Sequence, residues 1–292
     1  MSVAGHAHAH QPTAAQPRLR QRVFAFDMDG VLYLGERRID GAAEALAQVR
    51  QLGLPAYFIS NNSRQTPLEL ALKLQGMGID AGPEQVVSGV VATAAYLKTL
   101  QPHPTTVLVM GGPALARGIA ESGFTVASWD GRDAPDVVVV GVDFELSYQR
   151  LVRATRAIRP GGARFLAVNA DGVYPTADGP LPGSGAIAAA IRAVTEAEPI
   201  IVGKPAPMMF QAVCTRAGCA PADLVVVGDL IEADVAGANA FGATSVLVLT
   251  GSSTRDQSTG AAPNQRPHYL IETLYDLPLG ALLGPQPAEV RA

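Results

Sequence analysis

Four times along this chain a short apolar run stops at a small polar cluster, and that pattern constrains the fold more than any other feature. Residues 23–26 end at Asp27-Met28-Asp29-Gly30, and residues 56–59 end at Ser60-Asn61-Asn62-Ser63. Residues 200–202 run into Gly203-Lys204-Pro205, and residues 224–227 into Gly228-Asp229. Runs this short and this rich in β-branched or aromatic residues read as buried strands. Helical stretches lie between them. Asp40 can cap a helix over 42–52 that Gly53 ends, and Pro67 opens another reaching Gly76. Strand alternating with helix implies a parallel sheet. In such a sheet the carboxyl ends of the strands are where ligands bind.

A second set of alternating elements interrupts the first. Its strands are predicted at 107–110, 125–127, 137–142 and 165–168, with helices between, notably over 147–158 before Pro160-Gly161-Gly162. Residues 178–185 read as a Gly/Pro-rich loop leading into an alanine-rich helix over 186–195. The first style then resumes with helices over 207–217 and around 235–240, and a strand over 245–249. The architecture is α/β: a doubly wound parallel-sheet core over 23–83 and 198–292, an inserted α/β domain over 84–197, and a tail over 1–22. A small hairpin flap is predicted at 31–39 around Gly35-Glu36.

Composition removes several function classes. Hydrophobic residues make up 48% of the 292, enough for a full core, so a disordered chain is excluded. Charged residues are only 16%, the net charge is −4, and Lys and Arg are scattered; these argue against a nucleic-acid partner. No apolar run reaches the length of a membrane span, and no apolar segment follows Met1 as in a secretory signal. Cys214 and Cys219 are too few for a disulfide framework and read as core packing, so the expected compartment is cytoplasmic. His6, His8 and His10 alternate in the tail, a weak metal-binding pattern read here as solvated chain.

The polar clusters suit phosphoryl transfer, which needs a nucleophile, charge neutralisation and a proton for the leaving group. Asp27 can attack phosphorus, and Asp29 can protonate the departing oxygen and then activate water. Carboxylates held this close repel one another unless a cation intervenes. Mg2+ is the expected cation, with Asp27, the backbone carbonyl of Asp29, and Asp229 as ligands. Ser60, with Asn61 and Asn62 beside it, and Lys204 are the expected phosphate-binding groups. Each cluster alone has a plainer reading as a turn or helix cap. Four in order at four strand ends favour the chemistry. A non-catalytic ligand-binding protein on the same fold is the alternative, and its signature would be loss of Asp27 or Asp29.

In order and content these segments resemble the haloacid dehalogenase superfamily. Phe26-Asp27-Met28-Asp29-Gly30-Val31-Leu32-Tyr33, Ile59-Ser60-Asn61-Asn62-Ser63, Asn169-Ala170-Asp171, Pro182-Gly183-Ser184-Gly185 and Val202-Gly203-Lys204-Pro205 resemble its NagD-like branch. The likeness covers roughly residues 23–252. It implies a Rossmann-like core with a type-two cap, Mg2+, and phosphatase activity on a small phosphorylated metabolite. By it Asp27 is the nucleophile, Asp29 the general acid/base, Ser60 and Lys204 phosphate binders, Asp229 a metal ligand, and Asp234 a support behind them. Asn169 and Asp171 are the expected cap contacts to substrate. A homodimer through the cap is the assembly the resemblance implies. The match departs at Leu230 and Ala233, where the family carries a polar residue and Thr. Spacing agrees with the cap position: Ser60 follows Asp27 too closely for an insertion, whereas ample chain separates Ser60 from Lys204.

Overall fold

The computed structural model describes residues 22–176 and 178–284. The first half of the core runs β1 (Val23–Asp27), β2 (Tyr33–Leu34), β3 (Arg37–Arg38), α1 (Ala42–Gln51), β4 (Ala56–Ser60), α2 (Pro67–Gly76) and β5 (Val86–Ser88). The β2–β3 hairpin is the predicted flap. Gly41 rather than Asp40 occupies the N-cap of α1, in a left-handed conformation. Thr66 caps α2 with a full capping box to Glu69.

The chain then builds α3 (Gly89–Thr99), β6 (Thr106–Met110), α4 (Pro113–Glu121), β7 (Thr125–Val126), β8 (Val137–Val140), α5 (Tyr148–Ile158) and β9 (Arg164–Ala167). It continues with β10 (Val173–Thr176), β11 (Gly179–Pro182), α6 (Ser184–Thr195) and β12 (Ile200–Ile201). Here the structure departs from the sequence reading. The Gly/Pro-rich stretch is an antiparallel ribbon, with Val173 opposite Pro182 and Tyr174 opposite Leu181. Proline is tolerated there because a two-stranded ribbon is all edge. The remaining elements are α7 (Met208–Ala217), β13 (Leu224–Gly228), α8 (Gly237–Phe241), β14 (Thr244–Val248), α9 (Arg255–Gly260), β15 (Tyr269–Ile271) and α10 (Leu279–Leu283).

Two parallel sheets result. The first has the order β15-β14-β13-β1-β4-β5, the second β12-β9-β8-β6-β7. By sheet membership β5 belongs with the first sheet and β12 with the second. Alternation along β1 sorts its side chains: Val23 and Ala25 face one cluster, Phe24 and Phe26 the other. Phe24 and Phe26 are fully buried, roughly 1.5–3 kcal/mol of transfer energy each. The first cluster continues through Val107 and Val139 of the second sheet, so one apolar layer, including Met209 and Phe210 of α7, joins the two sheets.

The predicted tail lies outside the described residues except Arg22, which is buried. Its guanidinium donates to Leu282 O at 2.9 Å and Ala222 O at 2.7 Å, tying the segment before β1 to α10.

Candidate active site

Strand β1 lies between β13 and β4, and the chain runs outward from it in both directions, which leaves a crevice at the carboxyl ends. Asp27 closes β1, Ser60 closes β4, and Asp229 follows β13 directly. Lys204, four per cent exposed, enters from the segment after β12. Its Nζ donates to Asp27 Oδ1 at 2.8 Å and to Asp234 Oδ1 at 2.6 Å. Met28 N–H donates to the same Asp27 oxygen at 2.8 Å.

Asp234 sits in a π-helical turn, Ile231–Ala236, where Val235 N–H reaches back five residues to Leu230 O at 3.2 Å. Such turns recur at functional sites because they swing one side chain out of helical register. The second Asp234 oxygen accepts Leu230 N–H at 3.1 Å. Asp234 therefore supports Lys204 directly, and Leu230 needs no polar side chain because its backbone makes the contact. Glu232 is exposed.

Asp229 is held by Ser252 N–H on Oδ2 at 2.7 Å, while its buried Oδ1 has no partner among the described residues. Carboxylate oxygens of Asp27, Asp229 and Asp234 lie within 4.8 Å of one another. Against these three buried carboxylates stands the single ammonium of Lys204. Ionised, the cluster carries two excess negative charges, which burial makes costly and a divalent cation would balance. Gly30, at φ +79°, leaves the room: a Cβ there would lie 2.4 Å from Asp229 Oδ2.

Electrostatics follow from this crowding. Burial pushes Asp27 up to about 8, against the pull of Lys204 and with added repulsion from Asp234 and Asp229. Asp229 is raised by burial and then by Asp234. Burial depresses Lys204, but Asp234 and Asp27 outweigh it and hold the ammonium above the usual lysine range. Asp29 stands exposed at the mouth, bridged to Tyr33; partial desolvation raises its carboxyl, with Lys73 opposing.

The other candidates fall into two groups. Among the described residues the Ser60 hydroxyl oxygen accepts only Asn62 N–H, at 3.2 Å, and its proton has no acceptor. The asparagines are occupied. Asn61 grips Lys204's backbone, accepting N–H at 2.9 Å and donating to C=O at 3.1 Å. Asn62 Oδ1 accepts Arg64 and Gln65 N–H, at 2.7 and 3.2 Å. Asn169 is buried; it donates to Asn61 O at 3.1 Å and accepts Asp171 N–H at 3.2 Å, the Asx-turn geometry. Asp171 is exposed beside it; partial desolvation raises its carboxyl, with Lys204 opposing.

Sequence reasoning missed one strand end. After β14, Thr250 Oγ1 donates to Gly30 O at 2.8 Å and Ser252 binds Asp229. A Thr-Gly-Ser cluster after an apolar strand is the same signal that marked the other four.

The chain matches the family model for haloacid dehalogenase-like hydrolases over residues 24–125 and a HAD-hydrolase-like model over residues 201–277. It is 34% identical over 251 residues to the acid sugar phosphatase of Staphylococcus haemolyticus, covering 86% of this chain and 93% of that protein. The glycerol phosphate phosphatase of Mycobacterium tuberculosis, solved with magnesium, superposes with a TM-score of 0.80 at 34% identity, over 88% of this chain and 77% of that one. NagD of E. coli superposes with a TM-score of 0.80 at 27% identity, over 88% and 98%. Likeness of this extent in both sequence and fold settles the assignment: the chain belongs to the haloacid dehalogenase-like hydrolases, in the NagD-like branch, and is a phosphoric monoester hydrolase.

Proposed function

We propose that the protein is a magnesium-dependent phosphatase for small phosphomonoesters that works through an aspartyl-phosphate on Asp27. The observation that carries the proposal is the Lys204 ammonium bridging Asp27 and Asp234, beside the unpartnered oxygen of Asp229. Asp27 Oδ1 is fixed by Lys204 and Met28, so the other carboxylate oxygen is oriented to attack phosphorus. Attack forms the Asp27 O–P bond and breaks the bond from phosphorus to the ester oxygen. Asp29 gives its proton to the departing alcohol, and its raised pKa suits that role. Asp29 then takes a proton from water, which attacks phosphorus and releases Asp27 and inorganic phosphate. Lys204 and the Ser60 hydroxyl neutralise the phosphoryl oxygens. Asp27, Asp229 and the Asp29 carbonyl are the groups that would hold Mg2+. Bound there, it would offset the carboxylate charge and polarise the phosphoryl group.

Substrate choice belongs, in this reading, to the inserted unit acting as a mobile cap. The core groups suit a phosphate and cannot read what is attached to it. Support comes from a cleft of about 570 Å3 between Arg64 and Gln65 of the core and Phe144, Tyr174, Asp178 and Leu181 of the second unit. The Arg64 guanidinium lies 3.4 Å from the Phe144 ring centre. Sugar phosphates, nucleoside monophosphates, glycerol phosphate and phosphoglycolate are of a size for such a space. The names of the relatives, an acid sugar phosphatase and a glycerol phosphate phosphatase, support testing the first and third foremost. Cap-to-cap pairing into a homodimer fits the exposed Leu146 and Tyr148, and a cytoplasmic setting fits the free cysteines. Among the described residues no helix is long and apolar enough to cross a membrane.

The test is phosphate release across a panel of phosphomonoesters, before and after chelation and with Mg2+ or Ca2+ restored. Release should stop in chelator, return with Mg2+, and return poorly with the larger, looser Ca2+. Undiminished release in excess chelator would defeat the metal assignment, and preference for a phosphoprotein would defeat the capped site.

A further inference from the structure

Three parts of the site meet at Asn61. Its side-chain amide takes both backbone polar groups of Lys204, N–H at 2.9 Å and C=O at 3.1 Å. Its own backbone carbonyl accepts Asn169 Nδ2, at 3.1 Å, from the loop after β9. The grip closes only because the preceding residue is glycine: a Cβ on Gly203 would lie 2.5 Å from Asn61 Oδ1. Lys204 lies beyond the end of β12, outside a strand ladder, and is followed by proline, which has no N–H. Without Asn61 the backbone of a buried residue would lose its partners.

We propose that Asn61 is a positioning residue: it fixes the Lys204 backbone so that Nζ lands between Asp27 and Asp234, and it ties that placement to the 169–171 turn. Lysine carries its charge on a flexible four-carbon stem, so the location of the ammonium is set at both ends. The two carboxylates hold the tip and Asn61 holds the root. One N–H and the oxygen of its amide are engaged by Lys204, and the Asp171 carboxylate takes a further hydrogen bond from the Asn61 side chain, so the side chain of Asn61 acts on phosphate through the lysine. The 169–171 turn is itself braced: Gly185 N–H donates to Asp171 O at 2.9 Å and Gly183 N–H to Gly172 O at 3.0 Å. A Cβ on either glycine would lie 2.2 Å from a carbonyl oxygen of that turn. The Pro182-Gly183-Ser184-Gly185 motif thereby joins the same chain of contacts, from the start of α6 through Asn169 and Asn61 to Lys204.

This inference rests on the proposed role of Lys204, and the experiment separates the two. Asn61→Ala, Lys204→Met and the double variant are compared with the parent protein, with Mg2+ present. The readouts are kcat/KM on p-nitrophenyl phosphate and calorimetric binding of inorganic phosphate. Lys204→Met should lower kcat/KM by about 100-fold or more, and Asn61→Ala by roughly 10- to 100-fold, the scale of an ångström misplacement. In the Lys204→Met background, Asn61→Ala should add less than about twofold in both readouts, since groups acting as a unit are non-additive. An unchanged Asn61→Ala protein overturns the proposal. So does an equal loss in both backgrounds, because direct phosphate contact or general loss of folding would multiply. Lys204→Met with parental activity would instead strike at the assignment of Lys204 itself.

Discussion

Substituting Gly251 with alanine should disable the site from a position that touches no substrate. A Cβ there would lie 2.1 Å from Asp229 Oδ2, 2.5 Å from Cγ and 2.6 Å from Cβ, whereas ordinary contact begins at 3.4 Å. The carboxylate must retreat by about 1 Å or more, since repulsion is steep inside contact distance. Any retreat breaks an existing contact. Ser252 N–H holds Oδ2 at 2.7 Å, and Gly30 approaches the same oxygen so closely that a Cβ there would sit at 2.4 Å. Overpacking of this kind costs about 1–3 kcal/mol. A metal ligand displaced by an ångström should cost on the order of 10²-fold in kcat/KM. Gly260→Ala is the control, because nothing lies within 4 Å of a Cβ at that position. The assay is kcat/KM against Mg2+ concentration for both variants, with melting temperatures in parallel. Gly251→Ala should need more Mg2+ and turn over slowly, and Gly260→Ala should match the parent. A Gly251→Ala protein with parental kcat/KM and Mg2+ dependence would refute the claim that Asp229 is held in a tight cradle for the cation.

Asp27→Asn should lose turnover by on the order of 10⁴-fold or more while staying folded, since the amide keeps the volume and removes one buried charge; circular dichroism with phosphate-release kinetics checks both halves. Asp234→Ala leaves Lys204 paired with Asp27 alone, so it should destabilise the fold by less than the about 3–5 kcal/mol of leaving a buried charge without any partner, and denaturant unfolding reads it directly. Mg2+ affinity should rise about tenfold per pH unit towards the Asp27 value of about 8 and level above it, because metal must displace that proton; isothermal titration in buffers of different ionisation enthalpy would expose a proton-independent affinity. The sign for stability is opposite. Asp27 is raised in the fold from 3.8 to about 8, so the metal-free native state holds a proton that the unfolded chain gives up. The contribution of this group therefore falls as pH rises through that window, and the gain in melting temperature on adding Mg2+ should grow.

Much of the fold was legible because burial on both faces of a parallel sheet leaves near-continuous apolar runs, as in 23–26 and 224–227. What escaped was short or irregular. Strand Val86–Ser88 carries three residues, too few for a pattern. The ribbon Val173–Thr176 with Gly179–Pro182 was hidden by its prolines and glycines, which argue against a strand in the interior of a sheet but not in a free-standing pair. At the site, the order of strand ends brought Asp27, Ser60, Lys204 and Asp229 to one crevice from sequence alone. Side-chain hydrogen bonding could not be read that way. The sequence suggests Asn61 as a phosphate contact and Asn169 as a cap contact to substrate, but it does not show that Asn61 also holds the backbone of Lys204 or that Asn169 bonds Asn61 O and the Asp171 N–H. Which partner an amide chooses depends on loops that are distant in sequence.

The central claim is covalent transfer to Asp27 before water enters, and the stereochemical course at phosphorus tests it most directly. A sugar phosphate made chiral with three oxygen isotopes is turned over in the presence of an acceptor alcohol, and the configuration of the new phosphomonoester is read by phosphorus NMR. Two successive in-line displacements, first by Asp27 and then by an acceptor alcohol standing in for water, each invert the centre. The account predicts net retention; net inversion would mean a single direct attack and would contradict it.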